Sequence, residues 1–443
     1  MAKPRAVLIL GGGLAGLACA DRLAAAGVAV TVLEKLPDVG GLARSIRFAG
    51  ATFDLGGHRF FTEKPALLAW LRGVVGDGLR EVERRSRILL RGRFFDYPLR
   101  PFNALSNFGA RDSARIVADY LRCAVRRRRR APRESSFEEW IVNRFGPLLF
   151  ETYFRPYTEK TWGLPCAEIS AEWASERIQL LNLADAVWRT LPLVPRPKTY
   201  ATKFWYPTGG IGVVGERLAA RLAAHGGTIV GDATVESLRV RDGRVAGVVA
   251  NGRAYEADAV ISTLPLTALC RMLGAPDEAT LSRLSYRAIR CVCLVIDGAR
   301  VTDDTWLYFS EAGVVFGRSH EPGNWDPTLA PPSGTSLCLE VFCNEGDDLW
   351  RRDEAELVDA CVRDLRRLGL LRHGGEIQGR CVNVPHAYPV FRVGYRDALR
   401  AALDAVAAVG NLHVVGRTGA YRYENMDQVA EAAIALADRL VSA

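Results

Sequence analysis

Lysine is scarce in this 443-residue chain, supplying six of its 58 basic residues, and methionine occurs three times. Such a skew reflects an arginine-favouring genome and carries little chemistry. No apolar run approaches the ~20 residues of a membrane-crossing helix without a glycine interruption, so a transmembrane segment is not expected. The ten cysteines include no C-x-x-C pair, which removes the common zinc and dithiol motifs. Cys291 and Cys293 share one face of a strand-like run and read as buried core thiols. The six histidines show no H-E-x-x-H spacing, there is no G-x-S-x-G elbow, and no metal is expected. A net charge of +8 and the run Arg126 to Arg130 raise the question of nucleic acid. No helix-turn-helix, zinc finger or aromatic-interleaved basic motif accompanies them, so nucleic acid is not expected as a partner. The run reads as a solvated, mobile loop, with an anionic substrate or membrane surface as secondary readings. With side-chain catalysis so poorly supported, a cofactor should perform the chemistry and the protein should position it.

What is present begins at once. The opening MAKPRAVLILGGGLAGLACA offers a basic start, an apolar run and small residues, as a secretory signal does. The following residues favour a nucleotide site instead. Ala6 to Leu10 has strand length; Gly11, Gly13 and Gly16 form G-x-G-x-x-G; a helix-like stretch runs from Leu14 to Ala26; and V-A-V-T-V-L-E ends in Glu34. Strand, glycine turn, helix, strand and acid form the dinucleotide-binding crossover, with the acid placed to accept hydrogen bonds from a ribose. Lacking a signal sequence, the chain is expected in a reducing cytoplasmic setting. Gly40, Gly41 and Arg44 follow the acid. In this they resemble two-dinucleotide-binding flavoproteins, a likeness that implies FAD rather than NAD.

The length implies two or three packed domains. The expected fold is α/β: a Rossmann-like FAD-binding domain assembled from 1–65, 205–265 and 408–443, a mainly helical substrate or cap segment at 66–204, and a mixed α+β substrate segment at 266–407. Ligands should sit where these meet. Arg417 to Asp427 is expected to enter the flavin site. Met426 and Asp427 would stand at the head of the last helix, where free N–H groups and the dipole favour negative charge.

Four stretches, G-G-H-R-F-F-T-E-K (56–64), R-G-R-F-F-D-Y-P-L (91–99), P-Y-T-E-K-T-W-G (156–163) and G-R-T-G-A-Y-R-Y-E-N-M-D (416–427), resemble the UDP-galactopyranose mutase family. The broader relatives are protoporphyrinogen-oxidase-like and amine-oxidase-like flavoproteins. The resemblance implies an FAD enzyme acting through reduced flavin N5 on a small molecule, a nucleotide-activated sugar. FAD-dependent oxidation of a sugar, amine or polycyclic substrate is the alternative. It further implies that Gly57 and His58 lie against the isoalloxazine and that Tyr157 and Trp162 line the sugar pocket. Tyr421 would reach the substrate phosphates, and Arg287 of the Tyr286-Arg287 pair would grip the diphosphate. His58, Trp162, Arg287 and Tyr421 are thus the expected catalytic set. Two positions depart from the pattern. Glu424 stands where the mutases have a phosphate-binding tyrosine, and Glu176 replaces an arginine for which Arg177 would substitute.

Overall fold

Ala6–Leu10 is almost wholly apolar because it forms β1, the middle strand of a parallel sheet covered on both faces. A computed structural model describes residues 3–97, 101–129, 134–177, 202–371 and 375–442. From β1 the chain turns through the glycines into α1 (Leu14–Ala25) and returns as β2 (Ala29–Leu33). The hairpin β3 (Ser45–Phe48) and β4 (Ala51–Asp54) leads into a first excursion. This holds α2 (Pro65–Val75), β5 (Leu79–Glu83), β6 (Ser86–Leu90), β7 (Arg93–Asp96), α3 (Pro101–Phe108), α4 (Ala110–Arg129), α5 (Phe137–Phe145), α6 (Arg155–Trp162) and α7 (Ala171–Arg177).

The chain comes back as β8 (Lys203–Pro207), paired with β5, followed by α8 (Gly212–Ala224) and β9 (Thr228–Val230). An antiparallel meander follows, made of β10 (Val235–Arg241), β11 (Arg244–Ala250) and β12 (Arg253–Tyr255), then β13 (Ala259–Ser262). A second excursion contains α9 (Leu266–Leu273), β14 (Ser285–Ile296), β15 (Trp306–Phe309), β16 (Arg318–His320), β17 (Thr335–Cys343), α10 (Glu354–Arg367) and β18 (Ile377–Val390). The chain closes with α11 (Tyr395–Ala407), β19 (Leu412–Val414) and α12 (Met426–Ser442).

The first sheet runs β19-β13-β1-β2-β9 with every pair parallel. Alternation along β1 divides its cores: Val7 and Ile9 join the layer containing α1, α8 and α12, whereas Leu8 and Leu10 join the layer of the meander and α11. The second sheet runs β18-β14-β17-β16-β15-β6-β7. Its outer strands β6 and β7 come from the first excursion, so the segment expected to be mainly helical also extends the mixed sheet. Cys291 and Cys293 are fully buried on β14. The arginine run is not a loop where described, since α4 continues as a helix through Arg129.

Candidate active site

The amino-terminal turn is built for an anion. Gly11 has φ +104°, and a Cβ on Gly16 would lie 2.0 Å from the Gly11 carbonyl oxygen, so the turn closes only with glycine there. Gly40 N–H donates to Gly12 O at 2.8 Å, and Gly41 packs directly on Gly13. The first turn of α1 has neither an acidic residue nor a side-chain cap. Its free N–H groups and positive dipole end therefore face the glycine loop. Glu34 is buried at the end of β2, and its carboxylate accepts from Gly12 N at 2.7 Å and Leu36 N at 3.0 Å. Arg44 donates to Gly41 O at 3.1 Å and ties the doublet to β3.

The loop after β4 is fixed from below. The buried Asp54 carboxylate accepts from Ser45 Oγ (2.6 Å), Tyr206 Oη (2.5 Å) and Ile211 N (3.0 Å). Gly57 N–H donates to Glu340 at 3.2 Å, and a Cβ on Gly57 would fall 1.9 Å from the Trp306 indole nitrogen. His58 Nδ1 lies 3.1 Å from Gly56 O, where it donates and leaves Nε2 as an acceptor. Burial, then the Arg417 charge, push its pKa down to about 3, so the ring is neutral. Arg59 lies over the Trp306 ring at 5.6 Å.

From the carboxy-terminal side, Arg417 donates to Glu424 O at 2.9 and 2.8 Å and to Ala387 O at 3.3 Å. Its guanidinium covers both Tyr388 and Tyr423, which are stacked with ring centroids 5.5 Å apart. Met426 is buried at the start of α12. The carboxyls of Glu424 and Asp427 flank that helix end, and burial raises the pKa of both. Glu424 Oε2 and Asp427 Oδ1 are buried without a hydrogen-bond partner. Orphaned polar atoms at a helix N-terminus fit a polar group bound against them.

Between these two sides stand residues that lie deep in the protein yet keep accessible surface, as cavity walls do: His58, Arg59, Tyr157, Tyr308, Arg318 and Tyr388. Arg318, on β16, is paired with the fully buried Glu340 of β17 and donates to Tyr388 Oη at 2.6 Å. Tyr157 meets Tyr308 edge-on at 5.6 Å, and Tyr308 meets Tyr97 at 4.7 Å. Of this group the sequence reading singled out only His58 and Tyr157. Arg318, Glu340, Tyr308 and Tyr388 belong to no local motif, and Tyr423, though inside the 416–427 stretch, is passed over there in favour of Tyr421.

Several expected site residues face elsewhere. Tyr421 is 1% exposed; its hydroxyl lies 2.9 Å from Ser285 O and 2.8 Å from Val390 O and accepts from Ser285 N, which joins β14 to β18. It does not reach a substrate cavity, because core packing and those carbonyls hold it. Tyr286 donates to Thr418 O at 2.9 Å and accepts from Leu266 N at 3.0 Å. Arg287 is 5% exposed, and all three guanidinium nitrogens donate within the protein: to Thr161 O (2.9 Å), Lys160 O (3.2 Å) and Asn344 Oδ1 (2.7 Å). It clamps the carboxy-terminal end of α6, where free carbonyls and the negative dipole end favour a cation. Trp162 is buried behind Tyr388 and Tyr423, edge-on to Trp173 at 5.1 Å. Arg177 ends α7, and its side chain, like that of Glu176, lies outside the described residues.

A glycine turn on a parallel sheet, with a second helix end meeting an aromatic, cationic cavity, defines a dinucleotide-cofactor enzyme. The signature of the flavin-containing amine oxidoreductases matches residues 14–441. The chain belongs to that family and is an FAD-dependent enzyme. The reduced UDP-galactopyranose mutase structure is similar with a TM-score of 0.86 at 23% identity, covering 100% of this chain and 94% of that one. Phytoene desaturase (lycopene-forming) of Pseudescherichia vulneris is 27% identical over 391 residues, 74% of each chain. Prolycopene isomerase 1 of an Oncidium hybrid cultivar is 27% identical over 286 residues, 58% of this chain and 47% of its own length. This chain therefore matches about half of the isomerase. Among the described residues no helix is long and apolar enough to cross a membrane.

Proposed function

We propose that the protein binds a phosphate-bearing substrate, a nucleotide-activated sugar, and rearranges it in the manner of a pyranose–furanose mutase. The observation that carries this reading is Arg318, a guanidinium inside the cavity, oriented by Glu340 and Tyr388 and surrounded by the tyrosines Tyr157 and Tyr308. A planar fork fixed on one side presents its remaining N–H groups to an oxyanion. Arg59 adds a second deep cation. A polyene, such as the names of the carotenoid relatives suggest, gains nothing from buried guanidiniums, which would be left desolvated beside it.

In this reading Gly11, Gly13, Gly16, Gly40 and Gly41 approach the cofactor pyrophosphate, Glu34 accepts from its ribose, and Arg44 braces the doublet. Gly57 and His58 face its ring from one side; Arg417, Met426 and Asp427 face it from the other. When bound, FAD supplies the electron-rich ring on which bonds are made and broken. Neutral His58 offers Nε2 as an acceptor and adds no positive charge. Burial shifts the Glu424 carboxyl towards its protonated form, the direction that lessens the repulsion a carboxylate would exert on a diphosphate. Arg318 stabilises charge gathering on the departing phosphate.

The raised Glu424 carboxyl also favours a second reading, net oxidation of a C–H bond, because it stands beside the helix end that would face the ring. Purified yellow protein incubated with nucleotide hexoses, with and without dithionite, separates the two. Isomer formed only after reduction, with no net consumption of electrons, is the expected result. Stoichiometric bleaching of oxidised flavin without isomer would refute the mutase reading.

A further inference from the structure

Helix α4 carries an outward apolar strip that no described residue covers. Ala114, Val117, Ala118, Leu121 and Val125 recur at the i, i+3, i+4, i+7, i+11 spacing of one helix side and are all exposed. Val117, Leu121 and Val125 are 40%, 56% and 53% accessible, and they make up half of the large exposed apolar side chains among the described residues. The helix does not need this strip to pack, since Ser113 and Ile116 on the opposite side are buried. Arg111, Arg115 and Arg122, all exposed, border the strip on one flank, and the sequence continues into Arg126–Arg130. Both carboxylates of the helix are engaged: Asp112 by Arg91 and Arg115, and Asp119 by Leu148 N–H at 2.8 Å.

We propose that α4 docks the enzyme on an anionic lipid surface, with the strip in the headgroup boundary and the arginines on lipid phosphates. Twenty residues make a helix about 30 Å long, and one aliphatic strip beside a cationic row is what distinguishes a helix lying in the interface from one crossing it. A second copy of the chain would meet the same net positive side. A nucleic acid would satisfy the arginines and leave the aliphatic strip against water or phosphate. An anionic bilayer satisfies both halves of the surface.

The flavin-loaded full chain is centrifuged with vesicles of phosphatidylcholine, or of phosphatidylcholine with 30% phosphatidylglycerol as the probe composition, at low and high salt. The expected result is co-sedimentation with the anionic vesicles alone, weakened by salt. The triple change Arg111→Gln, Arg115→Gln, Arg122→Gln should lower the partition coefficient about a hundredfold, at about fivefold for each arginine. Leu121→Gln with Val125→Gln should lower it at least about tenfold while flavin content and activity on a free substrate stay unchanged. Absence of binding to anionic vesicles overturns the proposal. So does binding that the apolar pair of changes leaves intact, or a dimer in solution that those changes dissociate.

Discussion

Replacing Arg287 with methionine separates two roles for the same residue. Resemblance makes it the diphosphate grip; the structure makes it a clamp on the end of α6. Methionine retains the aliphatic volume but loses every donor, leaving Thr161 O, Lys160 O and Asn344 Oδ1 without their partner. Each buried acceptor so stranded costs about 1–3 kcal/mol. Water entering the space recovers part of that, which leaves a net loss of about 3–5 kcal/mol. Because Gly163 touches the guanidinium, the turn that follows Trp162 should loosen with it. The measurement is urea unfolding followed by flavin fluorescence and circular dichroism, alongside calorimetric binding of uridine diphosphate. A midpoint that falls, with affinity for the nucleotide within about threefold of wild type in the folded protein, is expected. Unchanged stability with affinity weakened by tenfold or more would refute the clamp and restore the phosphate role.

Arg318→Lys keeps a cation beside Glu340 but loses the fork, so KM for the nucleotide sugar should rise about tenfold to a hundredfold, at 1.4 kcal/mol per tenfold, with flavin content unchanged. Steady-state kinetics with the absorbance ratio of flavin to protein check both halves. Gly16→Ala would force a methyl to within 2.0 Å of Gly11 O, so the purified variant should lose most of its yellow colour and fail to recover it with added FAD. His58 has a folded pKa of about 3 against an ordinary 6.5, so protonation favours the unfolded chain. Stability of the flavin-free protein should be intact above pH 6.5 and fall as pH drops towards 3, and His58→Gln should flatten that slope in urea midpoints measured across the range.

The parts of this molecule that could be read in sequence are those whose physics is local. The glycines, α1 and Glu34 fall within 24 residues of one another, so their spacing alone encodes the turn, the free helix end and the acid. Arg318 has no such frame. It sits in a three-residue strand, and its meaning comes from Glu340 and from Tyr388, 70 positions away. The arginine run misled for a related reason: like charges in sequence suggest repulsion and a loop, whereas α4 is held as a helix by Ile116 and Ser113 on its far side.

Tyr421 and Tyr423 show how fine the boundary is. They lie two positions apart in the same motif, and in an extended strand they would point to the same side. Tyr421 instead has φ +51°, a left-handed conformation that costs free energy for a bulky residue. Its cost is offset by burial to 1% and by the carbonyls of Ser285 and Val390 around its hydroxyl. That reversal turns one tyrosine into the core and leaves the other stacked on Tyr388 beneath Arg417. The motif text is identical whichever tyrosine faces the cavity. Only the long-range partners on β14 and β18 decide, which is why a motif can name the right segment and the wrong side chain.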